Sequence, residues 1–137
     1  MPTIQAFIME GHTDEQKARL IGRLSGAVVT AIDAPIESVC VLLNDIPRAS
    51  FGIAGVPATA ASPPRAVLQA FLIAGRTDAQ KVRLIAALTE ATVAIGVDPA
   101  VVRVFVHDLP DADFGLGGLT AAALGRGISR AALVAHT

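Results

Sequence analysis

The first third of the chain alternates short apolar stretches with one long amphipathic stretch. Thr3–Met9 is rich in apolar and β-forming residues and is followed by a Glu-Gly pair, which predicts a strand. Thr13 and Gln16 have the spacing of a capping box. The helix that they open should end near Pro35, because proline disfavours helical geometry in the residue before it. Val39–Leu43 is a continuous apolar run of strand length.

Between the cap and the proline, apolar residues recur at helical spacing, so one face of the helix should be buried. These residues are Leu20, Ile21, Leu24, Ala27, Val28, Ala31 and Ile32. Strand, helix and strand in this order predict a right-handed β-α-β unit with parallel strands.

The same pattern occurs a second time. Residues 2–32 and 66–96 align at a constant offset of 64, with 14 identities in 31 pairs, and the offset then becomes 63. The second copy predicts a strand at Leu68–Ile73, a helix capped by Thr77 and a strand at Val102–Val106. Its helix should run through Leu84, Ile85, Leu88 and Val93. A repeat of this period indicates that both copies build the same supersecondary unit.

The two copies predict an α+β fold, with two tandem β-α-β units in one four-stranded sheet and two helices on one face. We assign residues 1–56 to the first unit, 57–65 to a linker rich in proline and small residues, 66–120 to the second unit and 121–137 to a C-terminal tail. The opposite sheet face has no cover from the predicted helices. It should meet other subunits, so the pattern favours a closed homo-oligomer.

Composition narrows the class of protein. At 137 residues the chain suits one compact domain, and 53% hydrophobic residues with a mean hydropathy of +0.58 favour apolar surface hidden between subunits. A net charge of -1 gives no electrostatic case for nucleic acid or an anionic membrane. No apolar run has the length of a membrane span, and the N-terminus lacks the pattern of a secretory signal. The one cysteine, Cys40, excludes an internal disulfide and favours the reducing cytoplasm.

Short motifs occur in the same order in both copies. They are Pro2, Glu10-Gly11, Thr13–Lys17, Asp33–Pro35 and Phe51–Gly55 in the first, and Gly75–Asp78, Arg103 and Phe114–Gly118 in the second. Together they resemble the 4-oxalocrotonate tautomerase family, over all but the linker and the tail. The chain looks like a fused member of that family, with two tautomerase-type subunits in one polypeptide.

The resemblance implies a β-α-β fold and, for fused chains, a homotrimer. It implies an enol–keto tautomerase, an isomerase that uses the N-terminal proline as general base. In such enzymes arginines bind the substrate carboxylates, a phenylalanine forms an apolar wall, and no metal or cofactor is used. On this chain the implied catalytic residue is Pro2, and the implied substrate-binding positions are Arg76, Arg103, Phe51, Phe114 and His12.

Pro2 can act as a base only if Met1 is removed, because its nitrogen is otherwise an amide. A free α-amino group has a pKa of about 8, and burial beside cations lowers that pKa by disfavouring the protonated form. An apolar pocket that holds arginines supplies both effects. Such a pocket would leave an amine that accepts a proton near neutral pH.

The two copies differ at the positions to which the resemblance assigns chemistry. The first copy has Pro2, His12 and Cys40 where the second copy has Ala66, Arg76 and Arg103, respectively. The first copy keeps the proline but lacks both arginines, while the second copy keeps both arginines but lacks the proline. We interpret the difference as a division of labour, in which Pro2 works with both arginines of second copies, brought alongside by folding or by trimerisation.

Several positions have alternative interpretations. Arg103 lies in an apolar strand run, where an unpaired charge is costly, so it needs a substrate carboxylate or an acidic partner such as Asp108 or Asp113. The alternatives elsewhere are a core or interface aromatic for Phe51 and Phe114, a solvated side chain for Arg76 and His12, and a small buried strand residue for Cys40.

The leading interpretation is a tautomerase of small carboxylate-bearing enols such as 2-hydroxymuconate or phenylenolpyruvate. Arg76 and Arg103 would hold the carboxylate and stabilise negative charge that develops on oxygen. One alternative on the same scaffold is a hydratase, dehalogenase or decarboxylase with Pro2 as an acid, although no carboxylate is clearly placed to activate water. Another is a catalytically silent trimer that binds a small acid.

Overall fold

A computed structural model describes residues 1–135 of the chain. The first copy comprises β1 (Thr3–Met9), α1 (Asp14–Ile32), β2 (Cys40–Ile46) and a small hairpin of β3 (Gly52–Ile53) and β4 (Val56–Pro57). The second copy comprises β5 (Ala66–Ile73), α2 (Asp78–Ala91), β6 (Arg103–Leu109) and a hairpin of β7 (Gly115–Leu116) and β8 (Leu119–Thr120). A six-residue helix, α3 (Arg130–Ala135), lies in the tail.

The four long strands form one sheet in the order β2-β1-β5-β6. β1 runs parallel to β2 and β5 parallel to β6, while the central strands β1 and β5 run antiparallel. Thr3 pairs with Phe71, and Ile8 pairs with Ala66. The start of each copy therefore lies beside the end of the other copy's first strand. The predicted α+β fold, with two β-α-β units in one four-stranded sheet, is confirmed.

Both helices pack on one face of this sheet, as predicted. Alternate residues of the central strands meet the apolar stripes of the helices in a single core. Its buried members include Ile4, Ala6, Ile8, Leu20, Leu24, Val28, Leu68, Ala70, Leu72, Leu84 and Leu88. Ile21, which the helical spacing placed on the buried face, is instead 41% exposed, because it lies at the margin of the stripe.

The helix starts follow the sequence prediction. Thr13 and Thr77 each accept a hydrogen bond from the backbone N–H three residues further on. The side chains of Gln16 and Gln80 accept one in return from the backbone N–H of the capping threonine. Both predicted capping boxes are confirmed. They satisfy backbone groups that have no partner inside the helix.

Some element ends differ from the pattern. A 3₁₀ turn over Thr92–Ile95 follows α2 and closes on Gly96, whose φ of 80° favours glycine. Val93 therefore lies in this turn and not in the helix. The outer strands extend beyond their apolar runs, to Ile46 and Leu109, because pairing with the central strands continues through polar residues.

The other face of the sheet is uncovered by any element of residues 1–135. Leu42 on β2 and Phe105 on β6 lie on this face and are 48% and 49% exposed. An apolar sheet face of this kind fits the predicted contact with further copies of the chain. Within the described residues, every helix is too short or too polar to cross a membrane.

Candidate active site

A cavity of about 450 Å³ lies where the start of β1 meets the end of β5. Three separate segments line it: the N-terminus with Met1 and Pro2, the turn after β5 with Arg76, and the tail with Arg126. Pro2 is buried and Arg76 is half-buried. The antiparallel pairing of β1 with β5 brings them together, because it sets the first residues of one copy beside the last strand residues of the other. Two of the predicted site residues thus share a cavity within one chain.

The Arg76 guanidinium is held in place by the first copy. Its Nη1 donates a hydrogen bond of 2.6 Å to the carbonyl oxygen of Ile32, the last residue of α1. That carbonyl has no partner inside the helix, and it lies at the negative end of the helix dipole. One nitrogen of Arg76 therefore binds the scaffold, while the guanidinium fork has further N–H groups that can bind a carboxylate.

Arg126 reaches the cavity from the C-terminal tail, and sequence analysis missed it. The Asp111 amide donates a hydrogen bond of 2.9 Å to the Ile128 carbonyl, which ties the tail to the second copy. Beside Arg126, Gly127 has a φ of 75°, and a Cβ at this position would lie 2.1 Å from Ile73. Only a glycine allows the tail to approach β5 this closely. The contact fixes where Arg126 enters the cavity.

The N-terminal amine lies in a positive electrostatic environment. Burial lowers the pKa of the Met1 α-amino group, and the charges of Arg76 and Arg126 lower it further. All three effects disfavour the protonated amine. Pro2 is buried in the same cavity, one residue away. The combination of burial and nearby cations that the sequence predicted around Pro2 is therefore present.

A second cavity, of about 490 Å³, adjoins the first and shares Met1 and Arg126 with it. Half-buried Phe114 lines this second cavity, so it lies next to the Pro2 cavity and not in its lining. Cys40 lines it too and is exposed, so the alternative of a small buried strand residue is wrong. The physical reason is that Cys40 begins an edge strand and lies on the uncovered face of the sheet.

The other predicted site residues lie at the opposite end of the sheet. Arg103 pairs with Val67 and is therefore level with the end of β1, five residues or about 16 Å along the strands from Pro2. His12 lies in the loop between β1 and α1, and Phe51 is buried before the β3–β4 hairpin. Folding of one chain does not bring these three residues to Pro2. They can approach a Pro2 cavity only from a neighbouring chain.

His12 does not reproduce the charge of an arginine. Burial is the largest cause that lowers the pKa of His12, while nearby Asp45 acts in the opposite direction. With a pKa below its ordinary value of about 6.5, the imidazole is neutral at pH 7. The equivalent positions His12 and Arg76 therefore differ in charge as well as in shape.

The acidic residues considered as partners of Arg103 are paired elsewhere. Asp108 forms an ion pair with Lys81, and Asp113 forms one with Arg130. Arg103 is exposed at the start of β6, and no carboxylate of the described residues lies within ion-pair distance of it. The internal ion pair is therefore not formed within residues 1–135. A substrate carboxylate stays the prediction for Arg103.

A family model for tautomerase enzymes matches the chain twice, over residues 2–61 and 68–123. The chain belongs to the tautomerase family. It is an isomerase with two tautomerase units in tandem, as the resemblance of its motifs implied. Residues 62–67, between the two matches, and residues 124–137 of the tail, which carry Arg126, lie outside them.

Curated relatives of this tautomerase correspond to about half of its length. A probable tautomerase of Ralstonia nicotianae is 52% identical over 66 residues, which are 47% of this chain and 94% of the relative. A 2-hydroxymuconate tautomerase of Pseudomonas sp. strain CF600 is 49% identical over 59 residues, which are 43% of this chain and 94% of the relative.

Solved structures match nearly the whole tautomerase chain. A crystal structure of native fused 4-OT has a TM-score of 0.85 at 49% identity, and the match covers 90% of this chain and 99% of that one. A wild-type fused 4-OT described as a symmetric trimer has a TM-score of 0.83 at 40% identity, with the same coverage. The tandem arrangement is thus shared with solved relatives.

The ligand-binding groups of this tautomerase site suit an organic anion. Arg76, Arg126 and Gln80 line the cavity around Pro2, and guanidinium and amide groups bind carboxylates well. Among residues 1–135 no group of three His, Cys, Asp or Glu side chains is placed to hold a metal ion. The only sequence signal for Arg126 is its place between Gly125 and Gly127, since flanking glycines permit a tight turn against a neighbouring strand.

Proposed function

We propose that this tautomerase is a cofactor-independent enzyme that converts small carboxylate-bearing enols, such as 2-hydroxymuconate or phenylenolpyruvate, into their ketones. The observation that carries the proposal is the cavity in which buried Pro2 lies beside Arg76 and Arg126. Relatives named 2-hydroxymuconate tautomerase, at up to 49% identity, support the same substrate class.

In the proposed reaction, Pro2 moves one proton. After Met1 is removed, the unprotonated proline nitrogen takes the proton of the enol hydroxyl and delivers it to carbon, so the product is an isomer of the substrate. Burial and the two arginines lower the pKa of the Met1 amine, and at the same place they would favour the unprotonated form of the Pro2 amine. Arg76 binds the carboxylate, and the cations stabilise negative charge on the enol oxygen in the transition state.

We further propose that the active species is a homotrimer. The uncovered sheet face with exposed Leu42 and Phe105 supports burial against other copies, and fused 4-OT relatives are described as trimers. In this assembly Arg103 enters the Pro2 cavity from a neighbouring chain. Phe51 and His12 lie at the same end as Arg103, so their contacts with substrate would also come from a neighbour, while Phe114 of the same chain forms an apolar wall.

The test compares a free with a blocked proline nitrogen. Protein whose intact mass shows Met1 absent is assayed by ultraviolet absorbance on 2-hydroxymuconate and phenylenolpyruvate. It is compared with a variant that has one glycine inserted before Pro2, and with Pro2→Ala. We expect the inserted residue to lower kcat by about a hundredfold or more, because the proline nitrogen becomes an amide. Absence of turnover on both substrates, or full activity of the blocked form, would contradict the proposal.

A further inference from the structure

Asp33 caps the C-terminal end of α1 in a conformation that residues other than glycine rarely adopt. Its φ is 54° and its ψ is 33°, which is the left-handed region. Among the described residues other than glycine, only Asp33 and Ala54 have a positive φ, and Ala54 lies in the β3–β4 turn. Aspartate tolerates this region better than most residues, but glycine adopts it at no steric cost. Strain at this helix end therefore calls for a physical reason.

The left-handed residue leaves the last carbonyl of α1 without a partner inside the helix. If α1 continued, the amide of Ile36 would donate to the carbonyl oxygen of Ile32, four residues earlier. The chain instead turns at Asp33, and this carbonyl accepts a hydrogen bond of 2.6 Å from Nη1 of Arg76. Within residues 1–135 this is the one hydrogen bond that the Arg76 side chain forms. The end of α1 is therefore the anchor of a guanidinium that belongs to the other copy.

The second copy ends its helix in a different way. α2 passes into a 3₁₀ turn, and the backbone amides of Gly96 and Val97 donate to carbonyls within that turn. The first copy has His12 at the position that is Arg76 in the second. The helix end with the free carbonyl and the arginine that it anchors thus belong to one end of the sheet, the end that contains the Pro2 cavity.

We propose that Asp33 is a positioning residue, which fixes the helix end that holds Arg76 ready for substrate. It acts through its backbone conformation and not through its charge, because its side chain is exposed and forms no ion pair within the described residues. An arginine that is already held loses less conformational freedom when it binds a ligand, so affinity gains from the anchor. This inference rests on the proposed function, because it concerns the arginine that would bind the substrate.

The first test compares two neutral replacements of Asp33. Asp33→Val opposes the left-handed conformation, since a β-branched residue is strained there, while Asp33→Asn removes the same charge and tolerates that conformation. On protein without Met1, we expect Asp33→Val to raise KM by roughly three- to tenfold, with a smaller change in kcat. Asp33→Asn should keep both constants within about twofold of wild type. Equal effects of the two replacements would overturn the inference.

The second test asks whether the effect passes through Arg76. In an Arg76→Ala background, Asp33→Val and Asp33→Asn should have kcat/KM values within about twofold of each other, because the anchored side chain is absent. A purely structural role of Asp33 would keep the full difference in this background and contradict the inference. If circular dichroism shows that Asp33→Val does not fold, Asp33→Ala replaces it, since Ala54 shows that alanine can adopt this φ. The rise in KM should then be smaller but still exceed that of Asp33→Asn.

A third measurement does not need turnover. The full chain is treated with phenylglyoxal, which modifies accessible arginines, and the modification of each arginine is followed by peptide mass spectrometry. Arg76 should react roughly threefold faster or more in Asp33→Val than in Asp33→Asn, because its guanidinium is released. Arg126, which lines the same cavity, should react at an unchanged rate.

The labelling separates failure of the inference from failure of the proposed function. An equal rise at Arg76 and Arg126 would mean that the whole cavity opens, and it would overturn the role of Asp33. An unchanged rate at Arg76 would overturn it as well. If wild-type protein turns over neither enol, the tautomerase proposal fails, and the rate at Arg76 alone then decides whether Asp33 holds the anchor in place.

Discussion

The two copies of the β-α-β unit share a scaffold and differ in chemistry. Both helices begin with the same capping box, and the ion pair of Lys17 with Asp45 in the first copy recurs as Lys81 with Asp108 in the second. Both copies end in a two-stranded hairpin. Yet the residues that could move or hold a proton differ between the two ends of the sheet. The residues that build the scaffold are thus shared by the two copies, while the residues that could take part in chemistry differ between them.

The two ends of the sheet are equivalent by topology, but they differ in cavity size and in the residues that line the cavity. Where the first copy begins, Pro2 and two arginines share a cavity of about 450 Å³. Where the second copy begins, the cavity is about 230 Å³, and linker residues Ser62 and Pro63 form part of its lining. Arg48 donates hydrogen bonds of 2.8 and 2.7 Å to the carbonyls of Thr59 and Ser62, which hold the linker there.

A physical constraint explains this difference. A fused chain has one N-terminus, so only one of the two equivalent ends can present a free amine. The backbone nitrogen of Ala66 is an amide, and the segment that joins the copies must pass close to it. Base chemistry by a terminal amine is therefore available once per chain, and the second copy can contribute arginines and packing instead.

The largest expected effect tests whether Pro2 of one chain works with Arg103 of another chain. Pro2→Ala and Arg103→Ala should each lower kcat/KM by about a hundredfold or more. Unfolded together in equal amounts and refolded, they should regain about a quarter of wild-type activity, because Pro2 and Arg103 would come from different chains of a mixed oligomer. Activity is measured on the substrate that wild-type protein turns over, at matched protein concentration.

A matched mixture serves as the control. Pro2 and Arg76 line one cavity of one chain, so a mixture of Pro2→Ala with Arg76→Ala should not recover. Recovery of this second mixture would show that Arg76 acts on a neighbouring chain. If the mixture of Pro2→Ala with Arg103→Ala stays inactive while both variants assemble normally, the shared site is wrong.

A smaller effect is expected on the pH dependence of kcat/KM. The rate should rise with pH as the N-terminal amine of Pro2 loses its proton. The rising limb should lie below that of an ordinary amine, because burial, Arg76 and Arg126 lower the pKa of the Met1 amine and should act in the same way on Pro2. Arg126→Ala removes one cation, which raises that pKa and moves the limb to higher pH. The loss of rate should therefore be partly recovered in alkaline buffer.

The control for Arg126 is another arginine of the same tail. Arg130 is exposed, pairs with Asp113 and does not line the cavity. Arg130→Ala should leave the position of the rising limb unchanged, even if the tail is loosened. A limb that moves equally in both variants would mean that tail packing, and not the charge of Arg126, sets the pKa.

The sequence predicted the elements well because their signals are local. The capping boxes of Thr13 and Thr77 and the apolar runs of all four strands are contained within a few residues each. Burial was less well predicted. The apolar run around Cys40 does not tell which side of the strand is covered, and Cys40 lies on the open side.

The arrangement of the site residues could not be predicted in full, because it depends on contacts between residues that are far apart in the sequence. The repeat does not say whether the copies pair parallel or antiparallel, and that choice decides whether Pro2 meets Arg76 or Arg103. In the structure β1 and β5 are antiparallel, so Arg76 shares the cavity and Arg103 does not. Arg126 was missed because its place depends on a tail contact of Gly127 with Ile73, which no local pattern encodes.

The smallest expected effect tests whether the two copies fold as one unit. Thr13→Ala and Thr77→Ala each remove one cap, which should lower the free energy of unfolding by about 1 kcal/mol in either copy. Because α1 and α2 contribute to one core, both variants should show a single shared transition. Urea unfolding is followed by far-ultraviolet circular dichroism, because the chain has no Trp and no Tyr for fluorescence. The protein concentration is kept fixed, because association of chains changes apparent stability. Exposed Thr30 within α1 is the control, and Thr30→Ala should be neutral or slightly stabilising. Two separate transitions, with each cap affecting only its own, would show that the chemical asymmetry is matched by independent folding of the copies.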